Sequence, residues 1–393
     1  MEKPHAAIRP MPPRNPHEAH RAATPLELLF DLVTVIAIAA AAASLHHAIA
    51  AGHAAEGVPH YLMTFFAIWW AWMNFTWFAS AYDNDDAPYR LLTMVMMGGA
   101  LLIAAGIKPF FERFDIGLVV GGYVVMRLGL VPLWLRAARH DPDRRRTTLR
   151  YAGGIALAQA YWIGLFLLFT PDTMAFPLLV LLGFAIELAV PAFAERTAQT
   201  PWHRHHIIER YGLLTIIVLG EILLASALAL EAAGTEHFDI RLVHVALSAL
   251  VITFAMWWLY FSCEDHLQSD ELHHALQWGY GHVILFASGA AVGAGFAVLV
   301  DVVTGHASIT LAAGDMAVSL PLASYMLGLW FVHDRLVLRG IARWVLPCFA
   351  LLIATLPLAF PALEAIATLL VISVIARSTL HQASASEAKQ SHA

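Results

Sequence analysis

The sequence predicts an all-α protein: a polytopic membrane helix bundle of about 12 transmembrane helices in two parallel six-helix repeats. Three observations lead there. Of 393 residues, 59% are apolar and only 13% charged, against roughly a quarter charged in an ordinary soluble domain. Apolar runs recur from one end to the other, each long enough for a hydrocarbon layer of roughly 30 Å. The runs lack the alternation of barrel strands, and in lipid only a closed barrel or a helix satisfies every backbone polar group.

The elements follow in order. Residues 1–25, Pro- and His-rich without an apolar core, lack the hydrophobic region of a cleavable signal and read as a disordered cytoplasmic tail. The first span, 26–50, begins "ELLFDLVTVIAI", with Glu27 and Asp31 one turn apart on one helix face. Thr24 and Pro25 supply a cap and a start, so both acids lie near the positive end of the helix dipole. That dipole contributes about 0.3–1 kcal/mol, too little to offset burial of an unpaired charge. A basic partner, water or a function must supply the rest.

The second span, 58–81, carries Trp69, Trp70, Trp72 and Trp77 and runs into "YDNDDAPYR" at 82–90. Its Asp83, Asp85 and Asp86, with Glu264, Asp265 and His266 after the eighth span, are candidate metal ligands. Carboxylate oxygens suit hard cations and imidazole suits zinc, but no ordered ligand loop or paired-Cys motif accompanies them. The third span, 90–107, contains the small-residue patch "MMGGALLIAAG". The fourth, 115–137, carries Arg127 at mid-span, and "RAARHDPDRRRTTLR" at 136–150 is a basic loop beside anionic lipid.

The fifth and sixth spans, 150–170 and 174–194, bring Glu187 to mid-membrane, and 195–205 reads as a cytoplasmic linker. The seventh, 206–230, opens "HHIIERYGLL" and carries His206, Glu209 and Glu221. A buried ionisable group needs a partner, so Arg127 is expected to pair with Glu187 or Glu221. The remaining spans are 240–262, 276–301, 308–332, 341–358 and 361–378, followed by a disordered cytoplasmic tail at 379–393. Cys263 and Cys348 fall on an edge and inside a span, with no support for a disulfide.

With the N-terminus inside, nineteen of the 23 basic residues fall in tails and cytoplasmic loops, and only Lys108, Arg113 and Arg241 outside. This positive-inside bias puts both ends in the cytoplasm and an even number of crossings between them. An internal repeat agrees: "WWAWMNFTWFASAYDNDD" at 69–86 lines up with "ITFAMWWLYFSCEDHLQ" at 252–268, and Glu27 falls on Glu209. "FASGAAVGAG" at 286–295 matches the third-span patch, and "YVVMRLGLVPLW" matches "YMLGLW". Six spans separate the copies, 26–194 and 206–378, so the halves enter the membrane in the same sense.

"TPLELLFDLVTVIAIAAAAASL", "WWAWMNFTWFASAYDNDD", "RLLTMVMMGGALLIAAGI" and "HHIIERYGLLTIIVLGEILL" together resemble the bacterial low-temperature-requirement A family, multi-span membrane proteins linked with growth in the cold. Glu27, Phe30, Asp31, His206, Glu209, Arg210, Gly212, Gly220 and Glu221 fall on its pattern, while Leu29 stands where Phe is common. The resemblance implies a multi-pass protein of the bacterial inner membrane and brings no substrate. A fainter similarity is to lysosomal and bacterial potassium or proton channels, whose first helices carry Phe-Ser-Asp; Phe30-Asp31 lacks the Ser.

The leading expectation is a transporter or channel for protons, cations or a small solute. Its pathway candidates are Glu27, Asp31, His206, Glu209 and Glu221, with Arg127 and Glu187 as a buried pair. A lipid-acting membrane enzyme and a non-catalytic assembly or sensor protein are the alternatives; no nucleophile motif or nucleotide loop supports the former. No motif names a cofactor. The expected partners are the lipid bilayer, an ion or small solute and a second copy in a homo-oligomer, with no nucleic acid.

Overall fold

A computed structural model describes residues 8–19, 21–170, 173–233, 239–262, 267, 271–360 and 363–390, and every regular element among them is helical. In chain order these are α1 (Pro25–Ala50), α2 (Ala54–Tyr82), α3 (Ala87–Arg113), α4 (Gly117–His140), α5 (Arg145–Leu168), α6 (Phe176–Ala194) and α7 (Arg204–Ala233). There follow α8 (Ile240–Phe261), α9 (Leu272–Thr304), α10 (Leu311–Leu329), the short α11 (Arg335–Val337), α12 (Val345–Thr355) and α13 (Leu363–Gln390). A π-helical turn, Trp330–Asp334, joins α10 to α11, and 3-10 turns flank α12.

Eleven described segments are long and apolar enough to cross a membrane, and α2 is not among them. Its 29 residues suffice in length, but His60, Tyr61, Asn74 and the four tryptophans dilute its apolar character. The reason lies in its surroundings: from Ile68 to Tyr82 every residue except Trp77 is buried, so this stretch meets protein and not lipid. Helix ends shift from the sequence expectation where caps lie outside the apolar run. Asp86 accepts from the Tyr89 N–H and starts α3 at Ala87, and Phe114 ends it in the left-handed region (φ 54°). Thr310 caps α10 and Gly305, at φ 78°, ends α9.

The chain divides into two compact units, residues 1–41 with 64–211, and residues 42–63 with 212–393. In the first, α3 and α4 cross at glycine: a Cβ on Gly99 would stand 2.6 Å from the Gly122 carbonyl oxygen, and one on Gly122 2.6 Å from that of Gly99. Small residues let backbones approach, which is how apolar helices gain dispersion contact in lipid. Trp134 stacks on Tyr151 (4.2 Å between centroids) and meets Phe78 edge-on, joining α2, α4 and α5.

In the second unit α9 is the central helix, buried over most of its length. It crosses α10 where a Cβ on Gly295 would lie 2.3 Å from the Ala317 carbonyl oxygen. Tyr61 donates to the Ala287 carbonyl (2.6 Å), and His46 meets Asp301 (2.7 Å).

Two expectations about the tails change. Residues 8–19 and 21–24 are irregular but held against the helices of the first unit: Arg9 N–H donates to Asp86 (2.8 Å), Arg14 N–H to the Ala81 carbonyl (2.9 Å), and Met11 is fully buried. The segment is a strap, because its backbone groups find partners at the helix ends. At the other terminus α13 continues helical to Gln390, beyond the expected span end at 378.

Candidate functional site

The site grows from the first turn of α1. Thr24 and Glu27 form a capping box: the Glu27 N–H donates to Thr24 Oγ1 (3.3 Å) and the Thr24 N–H to Glu27 Oε2 (2.7 Å). Pro25 occupies the first helical position, where its missing N–H costs nothing. The capping box orients the Glu27 carboxylate, and its other oxygen gathers cations. Oε1 lies 3.2 Å from Arg21 Nη2, 3.0 Å from His206 Nε2 and 3.1 Å from Arg210 Nη1.

One turn on, Asp31 Oδ1 accepts from Arg210 Nη2 (2.5 Å) and from the Trp72 indole (2.6 Å). Arg21 reaches Asp83 Oδ2 at 3.5 Å, just past the end of α2. Arg14, at the exposed rim, stands 3.9 Å from the same oxygen while pairing with Glu18 at 2.8 Å. α7 is positioned by His203: its Nδ1 accepts from the His206 N–H (3.2 Å), its Nε2 meets the Glu18 carbonyl (2.8 Å), and its own N–H donates to Ser80 (2.9 Å).

Glu27, Asp31, His206 and Arg210 are each 0% exposed, Asp83 5% and Arg21 6%, so solvent screens none of these charges. Three carboxylates face two guanidinium groups and one imidazole; the centre is neutral only when it holds one proton beyond those on the arginines. Burial, then the neighbouring Glu27 charge, pushes Asp83 up to about 6 against the pull of Arg21. Asp86 lies beside it with the opposite result: burial raises it, but hydrogen bonds from Arg136, the Arg9 N–H and the Tyr89 N–H outweigh that and take it down to about 2.

Among the described residues, several buried atoms here have no hydrogen-bond partner: Asp31 Oδ2, His206 Nδ1, Tyr89 Oη and the Nε atoms of Arg21 and Arg210. Trp72 also lines a cavity of about 10 Å³ with Thr34, Ala37, Ile68 and Ala71, close to the smallest space that holds one water.

A second buried pair lies elsewhere in this unit. Arg127 Nη2 meets Glu187 Oε2 at 3.1 Å, and the Trp70 indole donates to the same oxygen at 2.8 Å. Glu221 is not part of it. Removing one partner of such a pair costs about 3–5 kcal/mol, because the other charge is left buried. The second unit has its own: Arg377 donates to Asp334 (2.6 Å and 2.9 Å), to the Leu259 carbonyl and to Ser262, with His333 beside it.

The structure therefore brings Glu27, Asp31 and His206 together and leaves Glu209 and Glu221 apart. Glu209 is exposed and accepts from the Ala23 N–H (3.3 Å). Glu221 is half-buried in α7. Of the candidate metal ligands, Asp83 is held by Arg21, Asp85 by Arg90 (2.6 Å) and Asp86 by Arg136, so a cation would have to displace arginines. Glu264, Asp265 and His266 lie outside the described residues, as does Cys263; Cys348 is a free, exposed thiol. Glu271, His273 and His274 cluster within 4.8 Å of one another at the surface. Sequence reasoning passed over Arg21 and Trp72 as members of the centre. The Thr24-to-Glu27 spacing was the available signal for the carboxylate's role.

No solved structure matches the chain. A protein of Rhizobium meliloti (strain 1021) described as uncharacterized is 28% identical over 258 residues, 62% of this chain; the match spans only 59% of that relative's length. Residues 22–378 match the family described as Bacterial low temperature requirement A protein (LtrA). This cover of nearly the whole chain includes Glu27, Asp31, Asp83, His206 and Arg210. The chain is a multi-pass membrane protein and belongs to the bacterial low temperature requirement A family.

Proposed function

We propose that this protein is a transporter of the bacterial inner membrane that moves protons, alone or with a cation or small solute, and that the centre around Glu27 is its proton-binding site. One observation carries the reading: three carboxylates, two guanidinium groups and an imidazole are sealed from solvent with Asp31 Oδ2 and His206 Nδ1 unpartnered. A buried centre with one carboxylate in excess takes up a proton, and sealed ionisable groups at the mouth of a membrane helix bundle suit a proton relay. His206 and Asp83 are the acceptors, and Arg21 and Arg210 hold the carboxylates while the proton moves. The glycine crossings of α3 with α4 and of α9 with α10 support two parallel halves, the architecture on which many carriers rest.

A second reading rests on a different fact. Asp31 Oδ2 apart, every carboxylate oxygen of Glu27, Asp31 and Asp83 is hydrogen-bonded or ion-paired, as in a lock that only joins α1, α2 and α7. Proteoliposomes carrying a trapped pH-sensitive dye decide between them. Under an imposed membrane potential the protein should pass protons, and Asp31→Asn should lower the rate at least tenfold with folding intact. Flux indistinguishable from empty vesicles, with and without candidate cations, rejects transport; flux unchanged in Asp31→Asn rejects this centre as its site.

A further inference from the structure

We propose that Glu221 is a second protonation site, a carboxylic acid reached from the hydrocarbon of the bilayer and not from water. Glu221 lies about two-thirds of the way along the apolar segment Arg204–Leu228. It is half-buried, and among the described residues no hydrogen bond or ion pair engages it. On the same helix face the next residues one and two turns on, Leu224 and Leu228, are 54% and 52% exposed. Gly220, alongside, has nothing within 4 Å of where a Cβ would stand. A side chain on this rim opens toward the surface that apolar leucines cover.

Among the described residues of α8 and α9 that approach it, no charge holds it ionised. α9 passes at Gly293, whose Cβ position would be 3.4 Å from the Glu221 carbonyl carbon, and its residues from Ala290 to Phe296 carry no ionisable group. α8 approaches through Ser226, which donates to the Ala246 carbonyl (2.9 Å), and its residues from Val245 to Met256 carry none either. An unpaired carboxylate in hydrocarbon is strongly unfavourable, whereas the protonated acid is neutral. The centre around Glu27 keeps its carboxylates ionised with arginines; Glu221 has only a proton to neutralise it. The site therefore carries its proton within the bilayer. This holds whether or not the Glu27 centre supports flux.

Hydrophobic carbodiimides add protonated membrane carboxyls across a C=N bond and leave a stable acylurea, without needing transport. The full-length protein in lipid vesicles is treated with dicyclohexylcarbodiimide at neutral pH, and the adduct is located by peptide mass mapping. Modification at Glu221 is expected, at least tenfold above that by a water-soluble carbodiimide supplied with an amine nucleophile. Infrared spectra of the same vesicles should lose a carboxylic-acid carbonyl band in Glu221→Gln. Absence of the adduct at Glu221 in folded protein, or equal modification by the water-soluble reagent, overturns the proposal.

Discussion

At the scale of single residues, the chemistry is set by which acids found a guanidinium. Asp83 and Asp86 stand three positions apart, yet one is pushed up to about 6 and the other down to about 2. Asp83 is buried and shares Arg21 with Glu27, while Asp86 has Arg136 and two backbone donors to itself. The sign of the consequence follows from linkage: a carboxyl raised in the folded state binds its proton more tightly there than in the unfolded chain. Folding stability linked to Asp83 is therefore full below about pH 4 and falls as pH rises to about 6, by on the order of 3 kcal/mol. Thermal unfolding in detergent across that window should show this decline, and Asp83→Asn should flatten it; an unchanged slope would remove Asp83 from the titration. Much of this was beyond the sequence. Glu27 announced itself through the Thr24-Pro25 start, but that Arg21 and Arg210 both converge on it depends on how α1, α2 and α7 pack.

Among the helices, apolar length was legible and aromatic burial was not. The spans from α3 to α9 follow from unbroken hydrophobic runs; Asp86 starts α3 three residues early and Gly305 ends α9 three residues late, while α5 begins five residues early, at Arg145, without a side-chain cap. α2 reads as one more span from its Trp-rich run, but the burial of nearly every residue from Ile68 to Tyr82 is a matter of packing that the run does not show. Residues 1–25 read as a loose tail because they are Pro- and His-rich without an apolar core; the hydrogen bonds that Pro10, Arg9 and Arg14 make to Ala81, Asp83, Asn84 and Asp86 are beyond what composition reveals. The crossing of α3 and α4 yields a contrast between neighbours. A methyl on Gly99 would meet Met126 at 2.5 Å and a carbonyl oxygen at 2.6 Å, whereas one on exposed Gly98 meets nothing within 4 Å. Gly99→Ala should then destabilise the protein by about 1–3 kcal/mol through overpacking, while Gly98→Ala should gain about 0.5–1 kcal/mol from helix propensity. Unfolding midpoints in one detergent read both, and equal effects would mean that the helices do not cross at Gly99.

For the molecule as a whole, the open physical question is how many times the chain crosses, and α2 decides it. An α-helix rises 1.5 Å per residue, so one of 29 residues spans more than a hydrocarbon layer of roughly 30 Å. It has the length to cross and lacks only the hydropathy, which a helix buried among others does not need, since its polar and aromatic groups meet protein. The distribution of arginine makes the same demand. Arg9, Arg14, Arg21, Arg90, Arg136 and Arg144 lie in the strap and at the ends of α3, α4 and α5, and a positive-inside arrangement puts all of them in the cytoplasm only if α2 spans the membrane. Exposed His53, between α1 and α2, and exposed Asp143, between α4 and α5, are separated by α2, α3 and α4. With Cys263 and Cys348 replaced by serine, His53→Cys should react with an impermeant maleimide in intact cells and Asp143→Cys only after lysis. Reaction of both from outside, or of neither, would put the two positions on one side and reduce α2 to a helix that does not cross; reaction of Asp143→Cys alone would invert the protein.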